Sequence, residues 1–473
     1  MKHRNLFIGL SCMAAGLCAC NDEYTFVPEY EVKLPTDTTI NVTIDASTVY
    51  QTIDGFASSD AWDMEYVGKY WSTSNKEAIA RLLFSCDVDD KGNSSGIGLS
   101  MWRFNLGGGS EEQDDASGIV SDKKERRVEC FLTGANGGYD WSKSAGRRYF
   151  MEKAKEYGCE SFVLFSNTPP VYYTYNGQAR SDKGAWSNLK PEHYDDFADF
   201  LATCAKHFVD EGYNISHISP VNEPQYNWNG NEQEGSAWQN TEVAEAGKWD
   251  YLYGNGDAGS ARGDVIEAFF NPGNTDTYIG DLAHLPKLIC GHSYWLDTNW
   301  SNMYSVRSSV KSKAEQYGLK VYQTEWSMLS ENYEDYASYG DASYMDLALS
   351  MAKVIHQDLA TANVSSWSYW TTCSRERWSQ KSRFYRLSPD GKDGESYEDL
   401  ATNGTYKASK NLWVLGNYSA FVRPGYQRID LKMEEETKDF FATAYISPEK
   451  DKLVVVYTNM TDKRAEINNT FEG

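Results

Sequence analysis

Apolar and polar positions along the chain follow two periods, and where the period changes the chain divides. "INVTIDAS" (40–47) alternates with period two, as a half-buried strand does. From there to about residue 415, short apolar runs alternate with helical patterns. The strand candidates are "TIDGF" (52–56), "GIGLSMWRFNL" (96–106), "SFVLFSN" (161–167), "ISHISPVNEP" (215–224), "TEVAEAG" (241–247), "KLICGHSYW" (287–295), "KVYQTEW" (320–326) and "VSSWSYWT" (364–371). Among the helical stretches, "HYDDFADFLATCAKHFVDEG" (193–212) carries Phe197, Phe200, Leu201, Cys204 and Phe208 at helical spacing, with Gly212 as a stop. "YMDLALSMAKVIHQDLATAN" (344–363) reads as another helix. Past residue 415, "YQRIDLKM", "DFFATAYIS" and "KLVVVYTNMT" are short strands separated by turn residues.

Strands alternating with helices predict an α/β fold, a (β/α)8 TIM barrel, over residues 51–415. The strand at 40–50 and the segment 416–473 predict a side antiparallel β-sandwich, either small or continuing beyond this sequence. A doubly wound open sheet is the rival, weakened because no G-x-G-x-x-G or P-loop opens a helix.

The first residues do not fit either pattern. "MKHRNLFIGLSCMAAGLCAC" (1–20) has a basic start, a short apolar stretch and small residues before a cysteine, which predicts a lipoprotein signal peptide with Cys20 as the lipidated residue. The apolar stretch is too short to span a bilayer. Residues 21–39, polar and containing Pro and Thr, predict a tether, and the expected location is the outer membrane, on the cell surface or the periplasmic face.

Composition narrows the partners. The chain of 473 residues has a formal net charge of −23 and no basic block, which excludes nucleic acid and favours a neutral polysaccharide or oligosaccharide. Its 33 Tyr, 19 Phe and 15 Trp exceed what a core needs; exposed rings of this kind serve as stacking surfaces for sugars. Six cysteines follow Cys20 without a C-x-x-C pair, so zinc knuckles and redox pairs are excluded, and most of the six are expected as buried small apolar residues. "DVDDKG" (87–92) lacks the closing glutamate of a calcium loop and reads as a turn.

Candidate chemistry lies at the C-terminal ends of the strands, where a barrel places its functional side chains. The fourth strand ends in Asn222-Glu223-Pro224 and the seventh in "QTEW", with Glu325; the second carries Arg103 and Asn105. The sixth ends with His292, Tyr294 and Trp295, the eighth with Trp367 and Trp370. Taken singly, each has an ordinary structural reading: a turn glutamate, an ion-pair arginine, a core ring. Together they form a constellation with a purpose. Glycoside hydrolysis needs one carboxylic acid to protonate the departing oxygen and one carboxylate to meet the anomeric carbon. Pro224 is expected to hold Glu223 extended, and Tyr294 or His292 to donate a hydrogen bond to Glu325.

"DGFASSDAW", "MWRFNLGGGS", "SNTPPVYYTYNG", "VNEPQYNW", "HSYW", "QTEWSML" and "LGNYSAFVRPGY" together resemble glycoside hydrolase family 30, most closely its branch of endo-β-1,6-galactanases. The resemblance implies a retaining hydrolase that cuts internal β-1,6 bonds of galactan side chains without metal or cofactor. It implies Glu223 as acid/base, Glu325 as nucleophile, Asn222 beside the acid, Tyr294 near the nucleophile, and Asp60, Arg103 and Trp370 lining the subsite of the cleaved sugar. The chain departs from the family at "FSNTPP", where it has Ser166 and Asn167 in the place of a tryptophan that many relatives carry; this favours a different hydroxyl pattern there. The other readings are a β-1,6-glucanase or related β-glycosidase on the same scaffold, and a surface glycan binder without activity. A monomer is expected. The Gly/Asn/Asp-rich stretch 254–276 is expected as a loop.

Overall fold

Short apolar runs, most of them buried on both faces, pair in parallel to build the centre of the molecule. A computed structural model describes residues 36–242, 251–252, 265–330, 333–335, 342–375, 385–389, 401–434 and 436–472. The expected signal peptide with Cys20 and most of the expected tether lie outside the described residues. After strand β1 (Thr36–Thr52) come β2 (Gly55–Ser59), β3 (Met101–Leu106), β4 (Ser161–Ser166), β5 (Ile215–Ser219), β6 (Tyr251–Leu252), β7 (Leu288–His292), β8 (Lys320–Glu325) and β9 (Val364–Tyr369). The order β5-β4-β3-β2-β9-β8-β7-β6 sets first strand beside last, the curl of a (β/α)8 barrel, and every pairing is parallel.

Inside the barrel, Ala57, Met101, Val163, Leu288 and Tyr322 pack as one apolar layer below the strands' C-terminal ends. Outside it, helices cover the sheet. The helix Tyr194–Asp210 buries Phe197, Phe200, Leu201, Cys204 and Phe208, as its spacing predicts, and Gly212 follows with φ +81°. The helix Tyr344–Ala360 opens with a capping box between Ser343 and Asp346. It is buried on nearly all sides, and on its outer face His356 packs against Phe441 of the side sheet with ring centroids 4.7 Å apart.

The side sheet joins the chain's two ends in the order β15-β14-β13-β1-β16, where β13 is Gln427–Met433, β14 Phe440–Ile446, β15 Leu453–Asn459 and β16 Arg464–Glu472. Its membership agrees with the expectation. Its pairing is mixed, because β16 runs parallel to β1, and among the described residues it is one layer. A further small sheet joins β10 (Cys373–Arg375), β11 (Tyr385–Pro389) and β12 (Gly404–Ala408).

Other boundaries move. β1 starts at Thr36, within the expected tether, and the helix Lys410–Ser419 crosses residue 415 with Leu412, Leu415 and Tyr418 in the barrel's core cluster. The expected fifth strand does not begin at Thr241: Thr241 and Glu242 are helical, residues 243–250 lie outside the description, and β6 is Tyr251–Leu252. Within the expected loop 254–276, Val265–Phe270 is helical, with Val265, Ile266, Phe269 and Phe270 buried. At 87–92 the chain makes the expected turn, with Asp89 Oδ1 accepting from the amides of Lys91 (2.9 Å) and Asn93 (2.8 Å). All six cysteines are free, four of them buried.

Candidate active site

Arg103 reaches from inside the barrel to Glu325. It sits on β3, 1% exposed, with its guanidinium carbon 4.4 Å from the Phe165 ring centroid. Its Nη1 donates to the Thr324 carbonyl at 2.5 Å and to Glu325 Oε1 at 3.1 Å. A buried guanidinium needs such acceptors, and a buried carboxylate needs such a cation.

Glu325 ends β8, and a register shift aims it. Gly291 of β7 pairs with Gln323, yet the next β7 residue, His292, pairs with Glu325, so Thr324 is an extra residue in β8. A bulge of this kind re-aims the side chain that follows it. Tyr294 OH donates to Glu325 Oε2 at 3.1 Å, so both oxygens of this carboxylate accept hydrogen bonds.

Glu223 arrives differently. β5 ends at Ser219, so Glu223 stands beyond the ladder rather than at its last position. Its φ is +42°, left-handed rather than the extended conformation expected before Pro224. Its own carbonyl accepts from the Tyr226 amide at 3.0 Å and from Trp228 Nε1 at 3.2 Å, while Pro224's carbonyl accepts from the Trp238 amide at 2.8 Å. These contacts hold a conformation that non-glycine residues rarely adopt. Trp62 (φ +66°) and Trp295 (φ +58°) also have positive φ, and both belong to loops that follow barrel strands.

His292 links the two acids. Its Nδ1 is 2.8 Å from Glu223 Oε1 and 3.6 Å from Glu325 Oε2. Tyr294, rather than His292, therefore supplies the hydrogen bond to Glu325. Glu223, His292 and Glu325 each offer an atom within 4.8 Å of the others'. Such spacing would also admit a cation, but the Arg103 guanidinium already occupies the charge-compensating position on Glu325, and a second positive charge beside it would be repelled.

The remaining expected residues gather around this centre with unmet hydrogen-bonding capacity. Asp60 follows β2; its Oδ1 accepts from the Asn105 amide at 2.9 Å, while Oδ2 is buried without a hydrogen-bond partner among the described residues. Burial pushes its carboxyl up to about 7 against the pull of Arg147. Both side-chain polar atoms of Asn105, and Oδ1 of Asn167 and of Asn222, are likewise buried without partners among the described residues. So many uncompensated polar atoms at one mouth of a barrel would be costly unless a ligand rich in hydroxyls satisfied them. Trp370 is buried, its ring edge-to-face with Trp62 at 5.1 Å and near Phe165 at 6.0 Å.

Sequence reasoning missed several supporting residues. Glu234, 1% exposed, accepts from the amides of Gly108 (3.0 Å) and Ser110 (3.2 Å) and from the Ser110 hydroxyl (2.6 Å), tying the loop after Glu223 to the loop after β3. The signal was the triple glycine: a Cβ on Gly108 would lie 2.5 Å from Thr168 Cγ2, so only glycine admits that approach. Arg147 donates to the Asn105 carbonyl at 2.6 Å, and Gln225 buries both amide atoms unpartnered beside the acid; neither left a sequence signal.

A barrel whose strand ends bring two glutamates together is the architecture of a glycoside hydrolase, and the chain matches the family model of O-Glycosyl hydrolase family 30 over residues 39–245 and 239–382. The chain belongs to that family. It is 26% identical over 450 residues to an endo-beta-1,6-galactanase from Hypocrea rufa, covering 89% of this chain and 81% of that one. A conserved exported protein from Bacteroides fragilis is 30% identical in sequence and superposes with a TM-score of 0.81 over 90% of this chain and 91% of its own. The catalytic domain of GH30 xylanase C from Talaromyces cellulolyticus shares the fold at 20% identity and a TM-score of 0.57, over 88% and 86% of the two chains.

Proposed function

We propose that this glycoside hydrolase cuts internal β-1,6 bonds of a galactan by double displacement, with Glu223 as acid/base and Glu325 as nucleophile. The observation that carries this reading is the approach of the two carboxylates, with oxygens within 4.8 Å. Retaining enzymes hold their carboxyl groups about 5–5.5 Å apart, whereas inverting enzymes leave roughly 6.5–9.5 Å for a water.

The partners divide the roles. Arg103 and Tyr294 both favour an ionised Glu325, so this carboxylate attacks the anomeric carbon as the bond to the leaving sugar breaks. Glu223 gives its proton to the departing oxygen. A His292 with its proton on Nδ1 occupies Oε1 of Glu223 and leaves Oε2 to carry the acidic proton. In the second step the Glu223 carboxylate takes a proton from water, the water attacks the anomeric carbon from the vacated side, and Glu325 is released. Configuration at that carbon is inverted twice and so retained.

Galactan as substrate is supported by the 26% identity to the Hypocrea rufa galactanase along most of both chains. Asp60, Arg103, Asn105, Asn167, Asn222 and Trp370 are assigned to the cleaved sugar, with a polysaccharide and no nucleic acid as partner. The protein acts as an exported monomeric lipoprotein anchored through Cys20, a reading supported by its N-terminal segment and by the likeness to an exported Bacteroides fragilis protein. Incubating the protein with β-1,6-galactan, β-1,6-glucan and xylan, and scoring product length, tests the activity. Oligomers from galactan alone are expected; galactose released singly, or cleavage of another glycan only, contradicts it. Loss of palmitate labelling in Cys20→Ala tests the anchor.

A further inference from the structure

We propose that Tyr226 and Trp228 form a stacking platform for the sugar on the leaving side of the cleaved bond. This rests on Glu223 being the acid, and it goes further by assigning that side of the cleft to two rings.

Both rings are built on the turn that carries Glu223. The Glu223 carbonyl accepts from the Tyr226 main-chain amide at 3.0 Å and from the Trp228 indole at 3.2 Å, so the turn that presents Tyr226 and the indole itself are both tied to the acid's backbone. The rings meet edge-to-face, centroids 4.9 Å apart and planes at 73°. Trp228 lies against the backbone of Gly235, where a Cβ would fall 2.3 Å from its ring. Gly235 in turn donates its amide to the Ala179 carbonyl at 3.0 Å, and its neighbour Glu234 is locked to Gly108 and Ser110.

The result is a fixed indole carrying an outer ring with no core to fill: Tyr226 is 54% exposed. A rigid aromatic surface of this kind loses little entropy on binding, and it suits the C–H face of a pyranose. Its side of the cleft follows from the chemistry. The acid delivers its proton to the oxygen that departs with the leaving sugar, so rings anchored to the acid's own backbone adjoin that sugar. The other exposed ring near the centre, Trp295 (47% exposed), follows Tyr294, whose hydroxyl is bonded to Glu325.

The test compares wild type, Tyr226→Ala and Trp228→Ala in the full chain. Tyr304→Ala serves as control, its exposed ring standing on the outer helix Trp300–Gln316. Reducing-end-labelled β-1,6-galacto-oligosaccharides report which bond is cut. Both platform variants are expected to lose about ten-fold in kcat/KM and to shift cleavage toward the reducing end, where fewer sugars occupy the leaving side. The control keeps rate and pattern. An unmoved bond map in Tyr226→Ala, whatever the rate, overturns the proposal, as does a shift toward the non-reducing end; the lost ring is 54% exposed, and a melting curve matching wild type checks that the variant is folded. If wild type cuts glucan or xylan instead, galactan specificity fails while the same bond map on that glycan still decides the platform. If wild type cuts none of the three, the acid's role falls and the leaving-side assignment with it.

Discussion

Glu223 and Glu325 approach to within 4.8 Å between carboxylate oxygens, yet their partners are unlike. Glu325 accepts from the Arg103 guanidinium and the Tyr294 hydroxyl, whereas Glu223 has the His292 imidazole at 2.8 Å. Two carboxylates this close cannot carry equal charge without repulsion, and the cation beside one of them breaks the tie. That asymmetry is the physical content of the acid and nucleophile assignment.

Replacing Glu325, the proposed nucleophile, tests its part in the chemistry. Glu325→Gln keeps the side chain's shape but removes the counter-charge of the buried Arg103, so some stability is lost, while turnover on galactan is expected to fall by about 10⁴ or more, roughly 5.5 kcal/mol of barrier. Circular dichroism melting checks the fold; a folded variant with a near-normal rate removes Glu325 from the reaction.

The acid has a different signature. Glu223→Gln is expected to slow galactan cleavage by about 10²–10⁴. An aryl glycoside with an acidic phenol as leaving group needs no proton, so formation of its intermediate should suffer much less. Equal losses on the two substrates would contradict the acid role.

Arg103 links stability to the charge of Glu325. Arg103→Met leaves Glu325 buried without its cation, which costs about 3–5 kcal/mol by the general behaviour of broken buried pairs. The remaining carboxylate should also hold its proton to higher pH, so the acid limb of the kcat/KM profile should move up. Urea titration and a pH–rate profile measure the two effects; an unmoved acid limb would mean that Arg103 does not set the charge of Glu325.

Asp60 makes a prediction about pH and stability. Its carboxyl is raised from 3.8 to about 7 by burial. The unfolded chain releases this proton near the lower value and the folded chain near the higher, so rising pH favours unfolding between them and has no further effect above about 7. The stability involved is at most about 4 kcal/mol. Asp60→Asn does not titrate, so its melting temperature should fall less than that of wild type between pH 5 and pH 8. Glu111 and Glu234 are also raised to about 7 and contribute equally to both proteins, so the difference isolates Asp60.

The barrel and its two acids were legible because their signals are local: short apolar runs, and a glutamate following such a run. What was not legible depends on distant pairing. The extra residue at Thr324 exists only in the register between β7 and β8, and the left-handed Glu223 is imposed by Tyr226, Trp228 and Trp238, where the proline alone suggested an extended chain. The parallel partnership of β1 with β16 joins the two ends of the chain, and the sequence around either strand carries no mark of its direction. The helical start at Thr241–Glu242 was hidden because a short, mixed apolar run does not distinguish strand from helix. Buried polar atoms such as those of Asn105 and Gln225 became informative only when their missing partners could be seen.

The anomeric configuration of the first product tests double displacement most directly. Proton NMR, recorded within the first turnovers on a β-1,6-galacto-oligosaccharide before mutarotation, reads the new reducing end. The β-anomer appearing first is the predicted result. An α-anomer appearing first would mean a single displacement by water, which a pair of carboxylates held this close does not accommodate.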